Sequence, residues 1–432
     1  MAKKIGIITL ILSGVYAVGM YFYIFHSGNG EIPNSLKGTV ADPAVFMSSH
    51  ELLLSEDYSK IRNFLFFVVT PLEWLIYLFI LLLGLSRLFE KKATSKAKST
   101  LFQTIIYVFW LSLLLYIVMW PMDYYRYQLS KEYGISTQTV SSWVKDGLID
   151  FGVNYMMSVI MMSVIYWFIR KSTKRWWLYT WLLSIPFSIF LMFVQPVIID
   201  PLYNDFYPLQ NKELEAKILA LADQANIPSD HVYEVNMAEK TNALNAYVTG
   251  VGSNSRIVLW DTTLNRLTDK EILFIMAHEM GHYVEKHIYF GIAGYILLTF
   301  VGLWLTSKIM DWIILRYGQA LKIKKIGDVS SIPLFLLVTS FLMFASSPLS
   351  NYVSRYQESR ADEYAIKLTE DHAAAVSSFQ KLTKAGLSEV NPPLLVKWFR
   401  YTHPPMLERI NTVYEKNPNI EQEKKEERKK GK

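Results

Sequence analysis

The chain has 432 residues, 51% of them apolar and 19% charged, with 27 Tyr, 24 Phe and 12 Trp. Its net charge of +6 sits in short segments between apolar runs and offers no basic face of the kind that reads nucleic acid. The absence of cysteine excludes disulfides, thiolate metal sites and prenylation of the chain itself, and leaves His, Asp and Glu as metal ligands.

In chain order, the first apolar run is Ile5 to Phe25, behind Lys3 and Lys4. It is longer than a signal-peptide core, and His26-Ser27-Gly28 makes an unconvincing cleavage site, so the run reads as an uncleaved span. Six more follow: Phe64 to Leu85, Leu101 to Trp120, Phe151 to Ile169, Trp176 to Ile199, Ile288 to Thr306 and Ile332 to Leu349. Each approaches the roughly 20 residues that cross a hydrocarbon core. Trp120-Pro121 and Trp176-Trp177 lie at run ends, where interfacial aromatics anchor a helix. Glu73 falls mid-run, where an ionisable group costs about 3 kcal/mol on insertion scales. It is expected to face a hydrated chamber or to be hydrogen-bonded between helices.

Residues 200–287 read as soluble. A helix is expected at Lys212–Gln224, then β-type runs at His231–Val235, Tyr247–Gly250 and Arg256–Trp260, separated by Asn, Gly and Ser. Residues 350–414 read as mostly helical, and the charged tail 415–432 as frayed or disordered. The expectation is an all-α polytopic membrane protein. Residues 1–199 hold spans one to five and 288–349 hold six and seven. The segments 200–287 and 350–414 form two parts of one mainly helical domain with a small β-sheet.

The central signal is His278-Glu279-Met280-Gly281-His282. Thr268-Asp269-Lys270-Glu271 makes a capping box ahead of it, followed by apolar Ile272 to Ala277, so the motif lies on a helix. Residues four apart share a helix face, and both imidazoles can converge on one cation. Glu279 is rotated beside that axis, where it can take a proton from an attacking water. A helix with structural histidines is the plain alternative, but a buried pair of imidazoles needs partners, and a metal supplies them. Tetrahedral zinc needs a third protein ligand and keeps a fourth place open. His287, Glu285, Glu358 and Asp362 are the candidates. His287, five residues past His282, is expected to point elsewhere. Glu358 and Asp362 share a face at i, i+4 on a helix after the last span, so one can bind the ion while the other holds a ligating imidazole by its second nitrogen. A solvated helix salt-bridged through Arg355 and Arg360 is the competing reading.

Five stretches carry a resemblance: Ile199-Asp200-Pro201-Leu202-Tyr203-Asn204, Asn245-Ala246-Tyr247, His278 to His282, Glu358 to Asp362, and His403-Pro404-Pro405-Met406-Leu407-Glu408-Arg409. In order and spacing the chain resembles the type I CAAX prenyl protease family of membrane zinc metalloproteases and, more distantly, the HtpX-type membrane proteases. The resemblance implies zinc held by His278, His282 and Glu358, with Asp362 behind a ligand. It implies that Asn245 and His403 line the cleft and steady the substrate or the oxyanion, and that the strand near Tyr247 offers an edge to an extended peptide. It also implies a barrel of seven tilted helices around a water-filled chamber. An edge strand can bind a peptide by backbone pairing, and Val248-Thr249-Gly250-Val251-Gly252 suits such an edge. Arg409 reads as a buried charge partner. The long insertion of the mammalian enzymes is missing, and the compact, cysteine-free chain looks bacterial, which puts the prenylated substrate in question.

The expected activity is hydrolysis of peptide or lipidated-peptide substrates by a multi-pass enzyme of the cell membrane, with Glu279 as general base and His403 at the oxyanion. The alternatives are an HtpX-like quality-control protease, for which seven spans are too many, a transporter, for which repeated halves are missing, and an inactive metal scaffold, against which Glu279 argues. Orientation arguments conflict. Connections on the amino-terminal side carry sixteen Lys and Arg, whereas loops 26–63 and 121–150 carry six against nine Asp and Glu. The positive-inside rule then puts the metal segments outside the cytoplasm, while the resemblance puts them in the cytosol. The bias belongs to this chain, and the reading leans to the outer face.

Overall fold

The computed structural model describes residues 1–26, 30–227, 231–249 and 256–417. Ser27 and Gly28 of the cleavage reading, Gly250 to Gly252 of the strand-edge reading and the tail from residue 418 lie outside them.

The helices are α1 (Ala2–Phe25), a one-turn α2 (Pro43–Phe46), α3 (Ser49–Leu83), α4 (Leu85–Lys96), α5 (Thr100–Glu132), α6 (Val140–Lys171) and α7 (Trp176–Val194). After them come α8 (Lys212–Gln224), α9 (Asp261–Arg266), α10 (Asp269–Val284), α11 (His287–Leu321), α12 (Ile332–Thr369), α13 (His372–Gly386), α14 (Leu394–Arg400) and α15 (Met406–Lys416). Among the described residues seven helices are long and apolar enough to cross a membrane. Most of them outrun the apolar runs, and in α3 and α6 a capping side chain, not hydropathy, sets the start. Ser48 and Glu51 form a capping box that starts α3 fifteen residues before Phe64. Gly84, at φ +82°, closes α3 in a left-handed turn and lets the chain re-enter as α4. The helix expected after the last span is not a separate element: α12 runs unbroken for 38 residues, from the apolar segment to Glu358 and Asp362.

Side-by-side packing runs from α3 through α4 to α5, then α6, α7, α11 and α12, and α12 returns to α3, with α1 against the outside of α3. This closed order is a helical barrel. One end is filled by a core that includes Leu81, Tyr107, Tyr166, Trp176, Met310 and Ile332, all at the helix ends far from the metal motif. Glu73 is half-buried on α3, with Arg126 and Asp123 of α5 as the charges that act on it.

At the other end a four-stranded sheet of β1 (Phe206–Pro208), β2 (Val232–Val235), β3 (Ala246–Thr249) and β4 (Arg256–Trp260) is ordered β1-β2-β4-β3. β2 and β4 run parallel, the other pairs antiparallel, and β3 is an edge. One core beneath the sheet joins Leu214, Ile218, Ile257 and Leu259 to Ile272, Met276 and Met280 of α10. A second core joins the opposite side of α10, at Phe274 and Ala277, to α12, α13 and α15. Buried on both flanks, α10 is fixed in position. Its cap adds to this: Glu271 accepts from the Thr268 backbone N–H at 2.7 Å and from Lys381 of α13 at 2.7 Å.

Candidate metal centre

α10 crosses α12 at Gly281. A Cβ there would stand 3.1 Å from the Cα and 3.2 Å from the carbonyl oxygen of Ala361, so only glycine allows this approach without displacement. The approach sets His278 and His282 opposite Glu358. His278 Nε2 lies 3.1 Å from Glu358 Oε2, His282 Nε2 3.3 Å from Oε1, and the two Nε2 atoms 3.2 Å from each other. Among the described residues this is the one trio of side chains arranged to hold a metal. Glu358 Oε2 is buried without a hydrogen-bond partner. Ligand atoms on a tetrahedral zinc at 2.0–2.1 Å are roughly 3.3 Å apart. The spacing, the donor set and the orphaned oxygen therefore fit that cation.

The ligating faces are fixed from behind. His278 Nδ1–H donates to Asp362 Oδ1 at 2.8 Å, leaving Nε2 as the free lone pair. Asp362 in turn accepts from Arg409 through Nε at 2.8 Å and Nη2 at 2.6 Å, and the guanidinium lies 4.3 Å over the Phe379 ring. His287 does not point elsewhere, as its spacing suggested. Lys286 takes a left-handed conformation between α10 and α11, and this swings His287 Nδ1 to 3.0 Å from His282 Nδ1. Glu285 is drawn off to Arg360 at 2.8 Å.

Glu279 lines a cavity of about 350 Å³ together with His278, Asn245, Ala246 and His403. Burial raises its carboxyl above the usual range, against the pull of His278 and His282. Asn245 is held at the head of β3: its N–H donates to Thr263 Oγ1 at 2.9 Å, and its carbonyl accepts from the Trp260 N–H at 3.1 Å. His403 Nε2 lies 3.5 Å from Glu358 Oε1. Its loop is pinned by Arg355, whose Nη1 donates to the Lys397 and Tyr401 carbonyls at 2.8 and 2.7 Å. Pro404-Pro405 then starts α15, whose first turn carries Arg409. The competing reading takes Arg355 as one charge of a solvated, salt-bridged helix; the residue is buried instead. Its buried role could not be read from spacing, because its acceptors are backbone carbonyls 42 and 46 residues away.

Tyr247 stands apart. Its ring lines a second cavity, of about 520 Å³, with Asp200, Tyr203 and Trp260. The Asp200–Asn204 stretch is a joint there: Tyr203 donates to Asp150 of α6 at 2.7 Å, and Lys240 donates to the Tyr203 carbonyl at 2.7 Å.

Residues 208–417 match the model of peptidase family M48, and residues 23–205 that of the CAAX prenyl protease N-terminal region of five membrane helices. The chain is 53% identical to "Uncharacterized metalloprotease YhfN" of Bacillus subtilis, over 92% of this chain and 93% of that one. It is 29% identical to CAAX prenyl protease 1 of Saccharomyces cerevisiae, over 73% of each. The crystal structure of S. mikatae Ste24p superposes with a TM-score of 0.78 at 23% identity, covering 95% of this chain and 98% of that one.

Proposed function

Because the chain belongs to peptidase family M48 and carries the membrane region of the CAAX prenyl proteases, and so is a multi-pass membrane metalloprotease, we propose that it is a zinc endopeptidase using Glu279 as general base. The observation that carries the reading is the His278–His282–Glu358 triangle, with Glu279 in the same cavity below the edge strand β3. Bound there, zinc would polarise the scissile carbonyl and acidify the attacking water.

The chain's own groups do the rest. The free edge of β3 aligns an extended peptide by backbone pairing, and Asn245 lines the cleft at its head. Glu279 accepts the proton of the water and returns it to the leaving amine nitrogen, and its burial tunes it toward both tasks. His403 donates to the oxygen that becomes negative as the carbonyl is attacked. Asp362 and His287 keep the two imidazoles aimed. The relatives' name speaks of prenylated CAAX peptides. For this chain the reading takes the wider class of peptides, lipid-bearing ones included, presented at the membrane surface.

The test is zinc content and cleavage of an unstructured peptide by the purified protein and by Glu279→Gln. Both should hold about one zinc per chain, with turnover lost in the variant by roughly 10²–10⁴-fold. Equal turnover by the two would remove Glu279 from the reaction.

A further inference from the structure

The metal cavity has a second polar end that the reaction above does not use. Its lining includes Arg62 of α3 and Glu389, Arg400 and Tyr401. Arg62 is half-buried, packs its guanidinium 5.1 Å over the Tyr58 ring, and has no carboxylate partner among the described residues. Arg400 donates to the amide oxygen of Asn63, a neutral acceptor. Burial and the neighbouring Arg62 guanidinium both push the Arg400 pKa down, as expected of two cations that share a cleft without a full counter-ion. Beside them Glu389 is tied to the Asn63 amide at 3.1 Å, and burial pushes its carboxyl up to about 7. At neutral pH it offsets at most part of the charge. Buried guanidinium groups without an anion are costly, and arginine is the side chain best shaped to take a carboxylate.

We propose that Arg62 and Arg400 form a carboxylate-binding end of the metal cavity and hold a carboxylate of the bound peptide. This rests on the endopeptidase reading and adds a recognition element to it. Arg400 precedes His403 by three residues, so their Cα atoms are no more than roughly 11 Å apart. An extended peptide covers that distance in about three residues. The carboxylate is therefore one a few residues from the scissile bond, either the peptide's α-carboxylate or an Asp or Glu side chain.

The test reads binding, not turnover. Zinc-loaded Glu279→Gln protein in detergent is titrated with a labelled peptide as free acid and as C-terminal amide, and with the amide carrying Glu or Gln near its end. An acid-to-amide affinity ratio of roughly tenfold or more assigns the α-carboxylate, and a Glu-to-Gln ratio of that size assigns a side chain. In either case the ratio should collapse toward one in Arg400→Gln and Arg62→Gln and survive in part in Arg400→Lys, which keeps the charge. Ratios near one in both arms overturn the proposal, as does a large ratio that the Gln variants leave unchanged. Cleavage of the neutral amide peptide by the unmutated enzyme reports separately on the endopeptidase reading.

Discussion

The buried chain Glu358–His278–Asp362–Arg409 concentrates opposite charges in a small dry volume, and its members depend on one another. Removing one partner leaves the other charged and unpaired, which costs about 3–5 kcal/mol. Asp362→Ala should therefore lower thermal stability and, because His278 loses its aim, weaken zinc binding by roughly 10–100-fold. Chelator competition on the purified variant measures this, and zinc retention equal to wild type would show that Asp362 serves packing alone. Glu389 offers a separate residue-scale prediction, away from the ligands. Its carboxyl, ordinarily near 4.5, is raised to about 7 by burial, opposed by Lys60, Arg400 and the Asn63 amide and aided by Glu56. The folded state thus prefers the protonated form. That contribution to stability is complete below pH ~4.5 and is lost as pH rises through about 7. The Tm in detergent should fall across this window in wild type and fall less in Glu389→Gln. Parallel pH profiles would assign the slope to other groups.

Helix on helix, the site depends on how closely α10 meets α12. Gly281→Ala sets two effects against each other. Alanine favours the helix by roughly 1 kcal/mol, yet its Cβ would meet backbone atoms of Ala361 at 3.1 and 3.2 Å. Backbone cannot swing aside, so the helices must part by a few tenths of an ångström and carry the imidazoles away from Glu358. Weaker zinc binding in an equally helical protein is the expected outcome, read by chelator titration beside circular dichroism. Local patterns made much at this scale legible from sequence. The capping box at Thr268, the extent of α8 and the strand Arg256–Trp260 follow from short-range chemistry, and the seven spans follow from hydropathy. Contacts between distant segments were not legible. Nothing local announces that β2 and β4 run parallel, or that Phe206–Pro208 adds a strand. The turn at Lys286 that brings His287 behind His282 depends on a positive φ at a lysine, which no propensity favours. The resemblance, and no local pattern, singles out Glu358 as the partner of His278 and His282, and nothing in the sequence ties Arg409 to Asp362.

Across the whole molecule, alternating helices place the ends of α3, α6 and α11 and the starts of α5, α7 and α12 at the filled end of the barrel, with the metal at the other. The filled end is ringed by Lys91, Lys92, Lys96 and Lys98 of α4 and its exit, by Arg170 and Lys171, and by Lys322, Lys324 and Lys325. The metal end carries the acidic loops. Short basic loops stay in the cytoplasm during insertion, so the metal cavity should open on the outer face. The chain has no cysteine, so a single introduced one is the only thiol a maleimide can find. Lys98 and Glu213 are exposed at opposite ends. In intact bacterial cells a membrane-impermeant maleimide should label Glu213→Cys and spare Lys98→Cys until the cells are opened. The reverse pattern would place the site in the cytosol, and its substrates would then be drawn from cytosolic peptides instead of the segments that translocated proteins expose beyond the membrane.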